Sequence, residues 1–276
     1  MPGMAPQSCE TFAISPFSLI GRRVWRAVAE PESVTIGLIA GDQGALVVDT
    51  GSAPGQGAAI RAAAEAAAEV PVVAVAVTHG HFDHLFGLAA FADVPSFGHS
   101  SAETWLAQPE AVQAAARFGL DLADLPVPSE QFTLARGVDL GGRRVELVHF
   151  GPAHSGGDIV AFVPDADLVF VGDLLESAGP PSFGADCSFD GWPKALDGVL
   201  GALREDTVVV VGHGEPLDRN AAFEQRARIA ALPATADYLI GRGVGAEDAL
   251  AAAGWPVPDE VVAPLIPRLW ARSRSR

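Results

Sequence analysis

The order of apolar and polar positions divides the chain into short strands and Ala-rich helices. Val34 to Ala40 (VTIGLIA) and Ala45 to Asp49 (ALVVD) are apolar, β-branched runs around Gly41-Asp42-Gln43-Gly44, which predicts a β-hairpin with a polar turn. Residues 57–69 mix Ala with Arg and Glu, a strong helix former, and Pro71 stops them before a buried strand over Val72 to Val77. The spacing of Leu85, Leu88 and Ala89 predicts a short helix, and Pro95 to Phe97 a brief strand. Ser100 with Glu103 reads as a capping box that starts a helix reaching Phe118. Five short strands follow at 131–134, 138–140, 143–149, 158–163 and 168–171, bounded by Gly, Pro or Asp. Residues 176–191 form a Gly/Pro-rich loop too long to be a mere connector; 192–203 then read as helix and 207–211 as strand. From Arg219 onward the pattern is helical, interrupted by Pro and Gly, with a frayed Ser273-Arg274-Ser275-Arg276 tail. One domain over 1–276 is expected, with a helical insertion at about 100–130 and a helical C-terminal extension at about 219–272.

Chemistry accumulates where the strands end. Thr78-His79-Gly80-His81-Phe82-Asp83-His84 holds three of the seven histidines directly after an apolar run. A strand–helix–strand unit places it at the carboxyl end of a strand, where α/β proteins commonly build ligand sites. Imidazole and carboxylate are the ligand types that zinc and similar divalent ions prefer. Three later strand ends add His154, Asp173 and His213, and an earlier one ends at Asp49. His99 and His149 are expected to be structural, and Cys187 an inert thiol.

Composition narrows the partners. The formal charge of −16, with Lys194 the only lysine, would repel a phosphate backbone and argues against nucleic acid. Cys9 and Cys187 are too few for a disulfide framework or a cysteine metal site. No run approaches the roughly 18 apolar residues of a membrane span. Met1-Pro2-Gly3-Met4 opens no basic-then-apolar leader, so no membrane association and a cytoplasmic location are expected.

The ordered set His79-x-His81-x-Asp83-His84, His154, Asp173 and His213, preceded by Asp49, resembles the metallo-β-lactamase superfamily over about residues 30–215. The resemblance implies an α/β (α+β) fold: a four-layer αββα sandwich of two mixed sheets flanked by helices. It implies two divalent metal ions, zinc first with iron or manganese as alternatives. His79, His81 and His154 would bind one ion, Asp83, His84 and His213 the second, and Asp173 both. Asp49 would support the metal loop from outside the ligand set. A bridging water with its pKa lowered toward neutrality would attack the acyl carbon of an ester, lactone, thioester or amide in a small-molecule substrate. Asp83 would both ligate and orient that nucleophile.

Two other readings remain: a mononuclear iron oxidoreductase of the same fold, resembling persulfide dioxygenases, and a metal-stabilised binding protein without turnover. The full second ligand set argues against the first. Lactonase members place a tyrosine near the metals, whereas the sole tyrosine here, Tyr238, follows the last ligand; the single lysine disfavours a glutathione clamp. Pocket walls are expected from residues 100–130, from the 176–191 loop and from the C-terminal helices. Pro180, Pro181, Phe183, Phe189 and Trp192 suggest an aromatic lining, with packing against the scaffold as the alternative. A homodimer is left open.

Overall fold

The structure is a computed structural model and describes residues 11–274. The Met1–Met4 segment, Cys9 and the Ser275-Arg276 end of the tail lie outside the described residues. Strands β1 (Ala13–Ile14), β2 (Ser18–Gly21), β3 (Val24–Glu30), β4 (Val34–Ala40), β5 (Ala45–Val48), β6 (Val72–Ala76), β7 (Ser96–His99) and β8 (Glu130–Phe132) form the first sheet. Its order is β1-β3-β4-β5-β6-β7-β8, with β2 also on β3. The pairs up to β4/β5 are antiparallel, and those from β5/β6 to β7/β8 are parallel. Strands β9 (Ala135–Asp139), β10 (Arg144–His149), β11 (Ile159–Val163), β12 (Leu168–Gly172) and β13 (Val208–Val211) form the second sheet in the order β13-β12-β11-β10-β9. Only the β12/β13 pair in it is parallel.

Helices α1 (Pro54–Ala68), α2 (Phe82–Leu85), α3 (Ala102–Leu106) and α4 (Pro109–Phe118) precede the second sheet. Helix α5 (Trp192–Gly201) leads into β13, and α6 (Arg219–Gly241), α7 (Ala249–Ala252), α8 (Asp259–Val262) and α9 (Ile266–Arg274) follow it.

The burial pattern explains the layering. All seven residues of β4 are buried, because both its faces are covered. Val34, Ile36 and Leu38 pack with Ile60 and Ala64 of α1, while Ile39 packs between the sheets with Val145, Leu147 and Phe170. Gly37 makes room for the Phe170 ring, since a Cβ there would lie 2.5 Å from it. On the far side, Val160, Val169 and Val209 pack with Leu196 and Val199 of α5 and Ile229 of α6. Helix, sheet, sheet and helix therefore stack as an αββα sandwich around three apolar layers.

Two local expectations change. The helix expected to run unbroken to Phe118 is split, because Pro109 lacks the N–H that would continue α3 and instead begins α4. No capping box forms: the helix is entered at Ser101, whose hydroxyl bonds the His99 ring at 3.0 Å. Strands β1 to β3 precede Val34, the first residue of the elements expected from the sequence. No helix of the described residues is long and apolar enough to cross a membrane.

Candidate metal centre

All eight site residues expected from the sequence meet at one edge of the sandwich. Asp49 follows β5 in a left-handed backbone conformation (φ 65°). Its Oδ1 accepts the Thr78 N–H at 2.7 Å; its Oδ2 accepts the Thr78 hydroxyl at 2.9 Å and His84 Nδ1 at 2.8 Å. The segment after β6 is thereby tied to the end of β5, and α2 then carries Asp83 and His84 inward. The second sheet supplies the rest from the β10–β11 loop (His154) and the ends of β12 (Asp173) and β13 (His213). The sheets are stitched together here: Ile159 N–H donates to Thr78 O at 2.8 Å, and Thr35 N–H to Gly212 O at 2.7 Å. Gly212 is required by this closeness, since a Cβ would fall 1.8 Å from Asp173 Oδ1.

Asp173 lies at the middle. One of its oxygens is 3.3 Å from His84 Nε2; the other is 3.4 Å from His213 Nε2, 3.6 Å from His154 Nε2 and 3.8 Å from His79 Nε2. Two groups flank it, His79/His81/His154 and Asp83/His84/His213, the donor atoms of each lying within 4.8 Å of one another.

The outer nitrogens decide what such a cluster can hold. His84 Nδ1 faces the Asp49 carboxylate, and His81 Nε2 faces Asp186 at 3.3 Å. His154 Nδ1 faces the Ser182 carbonyl at 3.1 Å, and His213 Nδ1 the Glu32 carbonyl at 3.0 Å. His79 Nδ1 is 3.1 Å from the Thr78 hydroxyl, whose proton is committed to Asp49. Each partner is an acceptor, so each outer nitrogen carries a proton, and each ring when neutral turns a lone pair inward. Those lone pairs meet one another and two carboxylates; His154 Nε2 and His81 Nδ1 are only 2.9 Å apart. Acceptors facing acceptors in a buried site require protons or cations between them. His79 Nε2, His84 Nε2 and Asp173 Oδ1 are also buried with no hydrogen-bond partner. The residues fit divalent metal ions with mixed nitrogen and oxygen ligands.

Similarity to known proteins identifies the family. The family model described as the metallo-beta-lactamase superfamily matches residues 29–226. The chain belongs to that superfamily. A metallo-beta-lactamase type 2 from Bacteroides fragilis is 34% identical over 101 residues, covering 35% of this chain and 41% of that protein. A probable metallo-hydrolase, YqgX, from Bacillus subtilis is 30% identical over 154 residues, covering 53% of this chain and 70% of that protein. The chain thus spans under half the length of the first relative. A solved metallo-beta-lactamase from Pontibacter korlensis superposes with a TM-score of 0.63 at 20% identity, over 79% of this chain and 99% of that one, which shows the shared fold.

The electrostatics of this superfamily site are those of buried acids among imidazoles. Burial alone would raise Asp83 and Asp173, but in the metal-free site the adjacent His84 and His213 imidazoles hold both well below the usual carboxylate range. Burial would lower His213, yet the two carboxylates push it up to about 10, and Asp173, Asp83 and Asp49 likewise raise His84. His79 is lowered by burial and by the neighbouring rings, and His154 by burial first. Glu176 is raised to about 7, by burial and then by the charge of Asp173.

A cavity of about 1030 Å³ opens onto these residues. Ser101, Thr104, Trp105, Gln108, Gln113 and Arg117 from the 100–130 segment form one wall, as expected, and Glu176, Ser182 and Asp186 of the 176–191 loop form another. None of Pro180, Pro181, Phe183, Phe189, Trp192 or Cys187 lines it. Trp192 and Phe189 are buried in the core with Phe183 against them, so the packing alternative holds for the aromatic residues, while Pro180 is exposed. The C-terminal helices do not line the cavity either; they lie behind the loop. His99 and His149 stand outside the cluster with ring centroids 4.2 Å apart. Glu32, Glu176 and Asp186 were missed in the sequence. Glu176 had a usable signal, three residues after Asp173, whereas Asp186 sits in a loop with no periodicity.

Proposed function

We propose that the protein is a dinuclear, zinc-dependent hydrolase acting on an acyl carbon of a small molecule, an ester, lactone, thioester or amide. The observation that carries this reading is the inward convergence of imidazole lone pairs on Asp173 from two flanking groups beside a large cavity. In this reading His79, His81 and His154 would hold one ion and Asp83, His84 and His213 the second, with Asp173 available to either group. When bound, the ions would supply Lewis acidity toward a substrate carbonyl and an activated water near neutral pH.

The chain's own residues do the rest. Asp83 lines the cavity and is held ionised by its imidazole neighbours, so it can accept a hydrogen bond from the attacking water and aim it. Trp105, whose ring lies 5.2 Å from the His81 ring, offers an apolar surface beside the site. Gln108, Gln113 and Thr104 offer neutral hydrogen-bonding groups, which suits an acyl compound with polar substituents. The Glu32–Arg117 ion pair at 2.6 Å spans the mouth from the β3–β4 turn to α4. Two relatives of this chain, a metallo-beta-lactamase and a probable metallo-hydrolase, favour hydrolysis over redox chemistry.

The test is metal content followed by activity. Protein purified without chelators should carry close to two equivalents of zinc, iron or manganese and turn over members of an ester, lactone, thioester and β-lactam panel. Chelation should abolish turnover, and zinc should restore it. Asp83→Ala should fold and yet fail to turn over any substrate. Absence of metal in freshly purified wild-type protein would overturn the reading.

A further inference from the structure

The C-terminal helices reach the candidate metal site without touching it. Between β12 and α5, residues 173–191 contain no helix or strand, yet this stretch supplies acceptors for two imidazoles of the His79/His81/His154 group. Ser182 O faces His154 Nδ1 at 3.1 Å, and the Asp186 carboxylate faces His81 Nε2 at 3.3 Å. A segment without its own ladder of hydrogen bonds holds such acceptors in place only if something else fixes it.

That fixing comes from α6 and α9. Gln225 of α6 bonds both sides of one residue: Glu176 N–H donates to Gln225 Oε1 at 2.8 Å, and Gln225 Nε2 donates to Glu176 O at 2.5 Å. The Glu176 carboxylate in turn accepts the Ser182 N–H at 3.1 Å. Arg268 of α9 donates to the carbonyls of Phe183, Ala185 and Cys187 at 3.2, 3.1 and 3.4 Å, and its guanidinium lies 4.9 Å over the Phe189 ring. Arg272 bonds Asp190 at the end of the same stretch. The contacts to residues 182–187 therefore bracket the two acceptors that face His154 and His81. Arg268 lies beyond residue 226, where the superfamily match ends.

The geometry points to Gln225 and Arg268 as positioning residues, a clamp through which the C-terminal helices fix the Ser182 carbonyl and Asp186 carboxylate and so the ring orientation of His154 and His81. The clamp acts on one metal position. His84 depends instead on Asp49, and His213 on the Glu32 carbonyl, and neither of those supports belongs to the 173–191 stretch. Outer partners of metal-bound histidines typically govern metal affinity by 10–100-fold. This inference rests on the metal reading above.

The experiment compares full-length wild type with Arg268→Ala, Gln225→Ala and Ile229→Val. Ile229 is buried in α6, so its shortening loosens the same helical region without removing a hydrogen bond to the loop. Chelator competition measures the dissociation constant of each zinc equivalent. Long-range ¹H–¹⁵N NMR of the metal-free proteins reads the tautomer of each histidine ring. Arg268→Ala and Gln225→Ala should each weaken one zinc equivalent about tenfold or more, leave the other unchanged, and mix the His81 or His154 tautomers. Ile229→Val should change neither readout, and Arg268→Lys, which keeps one donor, should recover part of the loss. Two zinc equivalents of wild-type affinity in both alanine variants would overturn the clamp alone. Equal weakening in Ile229→Val would also overturn it, by showing general loosening. A wild-type protein that binds no zinc would overturn the metal reading and the clamp with it.

Discussion

Asp49 and Asp186 occupy equivalent places on opposite sides of the candidate metal centre, and they are built very differently. Each carboxylate faces the outer nitrogen of one imidazole, His84 at 2.8 Å and His81 at 3.3 Å. Asp49 is 1% exposed, ends a core strand, and also takes both the N–H and the hydroxyl of Thr78. Asp186 is exposed, lies in a stretch without regular structure, and owes its position to Arg268 and the neighbouring backbone. One support is a property of the sheet, and the other a property of packing between distant parts of the chain. The difference separates folding from metal affinity: loss of the first support should damage the fold, and loss of the second mainly the site.

Asp49→Ala should have the largest effect, since it strands a buried Thr78 N–H and removes the partner of a fully buried His84. Breaking such a buried pair costs about 3–5 kcal/mol, to be read by urea denaturation. A loss below about 1 kcal/mol would place Asp49 with ordinary surface acids. Zinc addition to the metal-free protein should come next, stabilising by about 2.7 kcal/mol at a hundredfold excess over its dissociation constant. A melting temperature unmoved by zinc would remove the basis for comparing two metal supports.

Glu176 sharpens the comparison through pH. Its folded-state pKa of about 7 lies above the ordinary 4.5, so the folded chain keeps a proton that the unfolded chain releases between those values. The metal-free protein should therefore lose stability as pH rises through that window, and Glu176→Gln should lose less. Denaturation at pH 4.5 and pH 8 should show the variant's advantage growing with pH; a constant difference would contradict the buried-acid account. Asp186→Ala should change stability least, by under about 1 kcal/mol for a partly exposed pair. It should nonetheless weaken zinc binding about 10–100-fold, measured by chelator competition. A variant with unaltered zinc affinity would erase the distinction between the two acids.

The sequence carried more of the candidate ligand set than of its surroundings. His79, His81, Asp83 and His84 are legible because they are close in sequence, and His154, Asp173 and His213 because each follows an apolar strand that ends at the same edge. The strands from β4 to β13 were readable from short apolar runs with turn residues between them, usually to within two or three residues. The insertion helix was placed but not its break at Pro109, and the capping residues were misjudged because Ser101 bonds a ring rather than the helix N-terminus. The cavity lining was the least legible part. Phe183, Phe189 and Trp192 looked like a pocket wall by composition, and only three-dimensional packing turns them into core while Glu176 and Asp186 face the site.

By itself, the sequence determined the candidate donor set and its order along the sheets, because both depend on residue type and local periodicity. The tertiary structure decided which acceptor holds each outer nitrogen, and therefore which way each lone pair points. That choice joins Glu32 to His213 across 181 residues and His81 to Asp186 across 105. No local pattern encodes such contacts; they exist only once the two sheets and the C-terminal helices are packed around the site.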